Sequence, residues 1–242
     1  MRDKNKRNLF VHIGFGKAGS SKLQLDIFPV LCGYLDYKYY AGEYVNSEKH
    51  KYHNFFTNLT TRLMLGLPVK KLEMTNNFLI SDEELSCYRN PEYYEEYAEK
   101  CLKALGKDAH IILVIREPRN WLSSIYIQCC VHENPFQEPE HFFLTNENYN
   151  ERLPNSKFNV DKFNYIDHIN FFRDRFDVVT VVKFEVLHKL NFLKRIFPIS
   201  DSQLSHLRQL YGLNEKFVNR ALSRTSIKII KHFSYSNFIR GT

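Results

Sequence analysis

The sequence has no run approaching the roughly 18 to 20 consecutive apolar residues of a membrane-spanning helix. Its best apolar run, Ile111 to Ile115, has the length of a strand. The N-terminal stretch MRDKNKRNLFVHIG starts basic but has no apolar segment of signal-peptide length before its first glycine, so no secretory leader is expected. Cysteine is scarce. The five residues (Cys32, Cys87, Cys101, Cys129 and Cys130) are odd in number and lack metal-type spacing. They read as reduced thiols in a cytoplasm, with adjacent Cys129 and Cys130 as the redox alternative. No His/Cys/Asp/Glu spacing points to a metal, and no internal repeat is present. The lysines and arginines are dispersed without a nucleic-acid module signature, so a nucleic-acid partner is not expected.

What the chain does have is enough apolar material for a core. Its 242 residues are 43% hydrophobic and 15% aromatic, which fits a single large α/β domain over residues 1–242 better than two small ones. A net charge of +7 points to an anionic partner: a nucleotide, an acidic glycan, or a membrane surface touched peripherally.

Strands are expected at Asn8 to Ile13, Asn76 to Ser81, His110 to Ile115 and Asp177 to Phe184, each an apolar, β-branched run. Between them the pattern is helical. One helix is capped by Ser20 or Ser21 and runs toward Leu31, kinked or shortened by Pro29. Glu48 to Leu65 forms a second, closed by Gly66 and Pro68. A third is opened by Asn90-Pro91 and ended by Gly106, and a fourth starts at Pro118. Asp161 to Phe176 is an amphipathic helix with Phe163, Ile166, Ile169, Phe172 and Phe176 on one face. Residues 128–159 are polar with scattered aromatics and read as a loop or lid near an acceptor site. Strands alternating with helices imply a parallel sheet covered on both faces, with ligands beyond the carboxyl ends of its strands.

The stretch HIGFGKAGSSKLQ, His12 to Gln24, follows the first strand and admits three nucleotide readings. Gly14, Gly16 and Gly19 spell G-x-G-x-x-G, the dinucleotide fingerprint. That pattern also wants an acidic residue about 20 positions on, at the end of the next strand. Asp36 is near the distance, but CGYLDYKYY does not read as a buried strand, and Lys17 has no place in the pattern. A kinase or NTPase loop needs lysine after its last glycine, and here the order is reversed, although Asp82 after the second strand could imitate a Walker B carboxylate. The third reading accounts for lysine before glycine and for the paired serines. Backbone N–H groups at a helix N-terminus cradle a phosphate, and Gly19 admits a close approach.

In this third form GKAGSSKLQ resembles the 5′-phosphosulfate loop of sulfotransferases, K-[TS]-G-[TS]-[TS]-x-L-Q, with Lys17, Gly19, Ser20, Ser21, Leu23 and Gln24 matching and Ala18 in place of the usual hydroxyl residue. IREPRNWLSSIY, Ile115 to Tyr126, resembles the 3′-phosphate site of the same family, R-x-P-x-x-x-x-x-S-x-Y after a strand, through Arg116, Pro118, Ser124 and Tyr126. VVKFEVL, Val181 to Leu187, is similar to a V-x-Y-E-x-L strand end in bacterial and Golgi-type members, with Glu185 read as a structural hydrogen-bonder.

The resemblance implies a three-layer α/β sandwich of the P-loop NTPase-like sulfotransferase fold. It implies 3′-phosphoadenosine 5′-phosphosulfate as donor, 3′-phosphoadenosine 5′-phosphate as product, no metal, and a carbohydrate or glycolipid acceptor. Aromatics between Phe136 and Phe158 would stack on the sugar. Gly16, Lys17, Ala18, Gly19, Ser20, Ser21, Arg116 and Ser124 would bind the donor, and Lys17 would meet the charge on the leaving oxygen. Ser81-Asp82-Glu83 matches an S-x-E of similar bacterial enzymes, which makes Glu83 the first choice of base and Glu84 the second. Alternatively, these carboxylates cap the next helix. His12 reads as a packed core residue, and His132 as either a site residue or a solvated loop residue. The competing class is a P-loop nucleotide-binding protein, kinase-like or without activity.

Overall fold

The apolar runs Leu9–His12 (β1), Phe78–Ser81 (β3) and His110–Ile115 (β4) are neighbouring strands in a computed structural model. The structure describes residues 8–41, 77–86, 93–132, 138–149 and 157–212. Lys38–Ala41 (β2) and Val178–Lys183 (β7) complete a parallel five-stranded sheet in the order β2-β3-β1-β4-β7. Every residue of β1 and β3 is buried, and so are the four central residues of β4. Such continuous burial requires cover on both faces, and helices flank the sheet, as in a three-layer sandwich. Edge strand β7 is mostly half-exposed.

β2 was not anticipated. Its KYYA sequence lacks an apolar run, yet Tyr39 pairs with Leu79 and Ala41 with Ser81. As an edge strand it needs only one partner, so tyrosine and lysine suffice. The helix after β1 comprises α1 (Ser20–Lys22), a π-turn (Leu23–Ile27) and α2 (Phe28–Leu35). Pro29 neither ends it nor kinks it out of register; the chain widens to π-geometry just before it, with Phe28 N–H donating to Leu23 C=O.

Helices α3 (Tyr94–Leu105) and α4 (Pro118–His132) follow their strands as expected, and Gly106 ends α3 with φ of 86°. The openings at Asn90-Pro91, the helix expected at Glu48 to Leu65, and Cys87 lie outside the described residues. The described residues of the 128–159 segment carry regular structure as well as turns. They contain α5 (Pro139–Phe142) and the parallel pair β5 (Phe143–Leu144) and β6 (Phe158–Asn159). Phe142 and Phe158 are each 1% exposed, packed with Tyr126 and Trp121 respectively. These two rings are core and cannot stack on a sugar; Phe143 and Tyr149 of the same segment are half-buried, and Phe136 lies outside the described residues.

The next helix starts later than its pattern implied. α6 (Tyr165–Arg173) is capped by the Asn164 side chain, which accepts from Ile166 N–H at 2.9 Å. Its buried face is His168 and Phe172; Ile166 is 61% exposed. Of the expected face, Phe172 and Phe176 are buried and Phe163 and Ile169 pack against the core, so only Ile166 departs from it. His168 joins that face although it is polar, enclosed by aromatic rings at 4.8 Å (Phe15) and 4.6 Å (Tyr94). Two short helices, α7 (Asn191–Ile196) and α8 (Asp201–Gly212), close the described fold. Among the described residues no helix is long and apolar enough to cross a membrane.

Burial pushes the imidazoles of His12 and His168 down to about 3. An unfolded chain takes up these protons near pH 6.5, whereas the folded chain holds both rings neutral until about pH 3. Their contribution to stability is complete above pH 6.5 and is lost below it, at up to about 1.4 kcal/mol per histidine per pH unit. Thermal unfolding between about pH 7.5 and pH 5 should therefore show a falling melting temperature. The fall should be shallower in His168→Phe, which keeps the ring contacts; equal slopes in both proteins would contradict it.

Candidate functional site

The sheet order sets where a ligand can sit. From central β1 the chain crosses to β2 on one side, and from adjacent β4 it crosses to β7 on the other. Neighbouring connections that diverge in this way open a crevice between the carboxyl ends of β1 and β4. The two segments bordering it are the glycine loop and the turn that begins with Arg116.

The glycine loop is held from below by its backbone. Ile13 N–H donates to Ile112 C=O and Phe15 N–H to Val114 C=O, both at 3.0 Å, which extends the β1–β4 pairing past the strand. The chain then turns sharply, with Ala18 N–H on Phe15 C=O at 3.0 Å and with Lys17 and Gly19 in the left-handed region at φ of 64° and 86°. Gly19 is required here. A Cβ on it would stand 2.8 Å from Leu187 Cδ2 and 3.0 Å from the Phe184 ring, besides its positive φ. The N–H groups of Gly16, Lys17 and Gly19 take no acceptor from the described residues. Successive open N–H groups in such a turn form a concave anion nest.

The side chains of the loop divide by burial. Phe15 is 1% exposed and anchors the loop against Trp121, Tyr165 and His168. Ala18 is fully buried, so a hydroxyl there would face the interior. Ser20 is buried and Ser21 exposed, though the sequence treats them as a pair. Lys17 is exposed at the tip.

Arg116, at the end of β4, reaches across the crevice. Its Nη1 donates to Lys17 C=O at 3.1 Å and to Ser124 Oγ at 2.9 Å, and the guanidinium lies 4.8 Å over the Phe184 ring. Ser124 itself donates to Asn120 C=O, one turn back on α4, at 2.8 Å. Burial is the main influence on the Arg116 pKa and lowers it; Glu185, Tyr165 and Glu117 oppose that effect. The N-terminus of α4 is closed by Glu117, whose carboxylate accepts from Arg119 N–H at 3.2 Å and Asn120 N–H at 2.9 Å. An anion at Arg116 thus meets side-chain donors, not open helix N–H groups. Glu185 accepts from Glu117 N–H at 2.9 Å and so ties the β7 end to this turn, in the structural role expected of it.

The acidic segment lies at the same sheet edge. β1 and β3 are in register with His12 opposite Ser81, and Asp82 N–H donates to His12 C=O at 2.9 Å. Glu83 then opens a 3₁₀ turn, Glu83–Ser86, one strand away from the loop. The side chains of Glu84 and His132 lie outside the described residues. The structure therefore brings Gly16 to Ser21, Arg116 and Ser124 together and sets Glu83 at the adjoining strand tip. Sequence reasoning missed Phe184, which supports both Gly19 and Arg116, and Trp121, whose Nε1 donates to Gly16 C=O at 2.8 Å. The Trp121 signal was available: it is the only tryptophan, and it sits inside the Arg116 motif. Comparison with known proteins adds no name to this geometry, since no family model and no curated protein matches the chain.

Proposed function

We propose that the chain is a sulfotransferase that moves a sulfuryl group from 3′-phosphoadenosine 5′-phosphosulfate to a hydroxyl of a carbohydrate or glycolipid. The observation that carries this reading is the hydrogen bond from Arg116 to the carbonyl of Lys17. It joins two anion-handling motifs, distant in sequence, at one crevice, and a donor with phosphates on both the 3′ and 5′ positions of its ribose needs two such places. The strand order, with the loop after the central strand, supports the P-loop NTPase-like sulfotransferase fold. The cytoplasmic setting rests on the sequence, whose five cysteines are odd in number and lack a disulfide-framework spacing.

The residues present fit such a donor. The open N–H groups of Gly16, Lys17 and Gly19, with the exposed Ser21 hydroxyl, would hold the 5′-phosphate. Arg116 and Ser124 would hold the 3′-phosphate, exchanging contacts they now make with protein for contacts with the ligand. The donor supplies a sulfur centre open to in-line displacement and a leaving oxygen that gains negative charge. Lys17 stands at the loop tip to meet that charge. Glu83 takes the proton of the acceptor hydroxyl. As in phosphoryl transfer, positioning and charge stabilisation carry the catalysis. The carbohydrate or glycolipid class of the acceptor comes from the family resemblance.

Glu83→Gln separates transfer from binding. The amide keeps the shape but cannot accept the acceptor's proton, so turnover with a panel of glycan acceptors should fall about a hundredfold. Affinity for 3′-phosphoadenosine 5′-phosphate, measured by calorimetry, should stay within about twofold, because a base acts on the acceptor. Undiminished turnover would remove Glu83 as base. Absence of any nucleotide binding by the unmodified protein would remove the sulfotransferase reading itself.

A further inference from the structure

A line of polar groups crosses the sheet beneath the helix that follows the glycine loop. In π-geometry the Gln24 carbonyl would pair with the residue five positions on, which is Pro29 and has no N–H. The Tyr39 phenol donates to that carbonyl instead, at 2.8 Å. Tyr39 is opposite Leu79, and Ser81, two residues further along β3, is opposite His12. Tyr39, Ser81 and His12 therefore share one face of the sheet. Ser81 hydrogen-bonds Tyr39 and lies 2.7 Å from Nδ1 of His12.

The direction of this chain follows from its end. A carbonyl only accepts, so Tyr39 gives its single proton to Gln24 and accepts from Ser81. Ser81 then has no second proton, and accepts from His12 Nδ1–H. A neutral imidazole carries one N–H, which leaves Nε2 of His12 as a bare lone pair. That atom is buried and has no partner among the described residues, and the same is true of Ser20 Oγ. The two meet at Gly14. The position a Cβ would take there is 2.7 Å from Nε2 and 3.0 Å from Ser20 Oγ, so the two atoms are within about 6 Å of each other.

We propose that His12 is a positioning residue: its tautomer is set from Tyr39, and its bare Nε2 holds the Ser20 hydroxyl across one water, keeping Ser20 inward so that Ser21 presents the ligand-facing hydroxyl of the loop. Gly14 leaves the room for this contact. The ring is also fixed through its own backbone, because the His12 carbonyl accepts Asp82 N–H. One residue thus registers the glycine loop against the acidic strand tip.

Long-range ¹H–¹⁵N spectra of histidine-labelled protein read the tautomer without any ligand. His12 is expected as Nδ1–H with Nε2 unprotonated. Tyr39→Phe frees the Ser81 proton to point back at Nδ1, so the ring should move toward the Nε2–H form. Ser81→Ala, which deletes the Nδ1 acceptor, should shift it the same way and serves if Tyr39→Phe folds poorly. An Nε2–H ring in the unmodified protein, or a ring unmoved by both variants, overturns the proposal.

The second arm rests on the sulfuryl-donor reading of the loop and uses adenosine 3′,5′-bisphosphate as probe. Tyr39→Phe should weaken its binding roughly three- to tenfold, the worth of one hydrogen bond. Ser81→Ala should weaken it similarly alone and add nothing in a Ser20→Ala background, since that change reaches the loop through His12 and Ser20 and leaves the Tyr39–Gln24 bond in place. Additive losses overturn the proposal. An Nδ1–H tautomer in a protein that binds no nucleotide would support the proton arrangement while sinking the donor reading, so the two failures are distinguishable.

Discussion

Replacing Lys17 with glycine is expected to slow sulfuryl transfer roughly a hundred- to thousandfold while changing affinity for 3′-phosphoadenosine 5′-phosphate by about tenfold or less. The size follows from what the ammonium meets. On the proposed function, charge on the leaving oxygen develops only as the bond to sulfur breaks, so Lys17 would bind the transition state more strongly than the ground state, and its loss would fall on kcat. Glycine is the informative substitution because of the backbone. Lys17 stands at φ of 64°, a conformation that costs a non-glycine residue on the order of 1 kcal/mol and glycine nothing. The variant removes the amine and relieves the strain together, offset by the greater freedom of glycine in the unfolded chain. Its melting temperature should stay near that of the unmodified protein, so the lost rate cannot be assigned to unfolding. Single-turnover measurements with saturating donor are the check; a kcat within threefold of the unmodified enzyme would remove Lys17 from the chemistry.

The parts legible in the sequence are those where one residue type has one physical reason to be there. Glycine at position 19 is forced by a positive φ and by the Phe184 and Leu187 side chains pressed against it. Arg116 and Ser124 are eight residues apart, and that spacing on a strand–turn–helix frame is what lets the guanidinium fold back onto the hydroxyl. The illegible parts depend on which way a side chain turns. Ser20 and Ser21 are identical letters, yet one faces the core and the other solvent. Ala18 is expected among the donor-binding residues, yet its side chain is buried and its N–H is taken by Phe15 C=O. Strand β2 carries no apolar run because, at the sheet edge, Tyr39 serves as a hydrogen-bond donor to a carbonyl that Pro29 left open. That pairing spans two elements and one missing N–H, and no window of the sequence contains its reason.

Arg116→Ala is expected to weaken adenosine 3′,5′-bisphosphate binding roughly a hundredfold and adenosine 5′-monophosphate binding only slightly, so that preference for the 3′-phosphate disappears. The contrast matters more than either value. Arg116 touches the glycine loop through Lys17 C=O, so its loss disturbs the 5′-phosphate nest a little for both ligands. Only the bisphosphate also loses a paired-donor contact with a partly buried guanidinium, whose deletion typically costs a few kcal/mol. Arg116→Lys should recover a fraction of the affinity and little of the preference, because an ammonium supplies charge without the planar guanidinium that stacks on Phe184 and can offer paired donors to a phosphate. The carboxylates sharpen the case. Glu117 and Glu185 both border this turn, and with Arg116 gone they face an incoming phosphate with no cation between them. Glu185→Gln in the Arg116→Ala background should therefore restore part of the bisphosphate binding, whereas the same change alone loosens the turn by removing the stronger acceptor for Glu117 N–H. Calorimetric titration of both nucleotides against the unmodified protein and the four variants decides it. Equal losses for the two ligands in Arg116→Ala would mean that the guanidinium braces the loop and reads no 3′-phosphate.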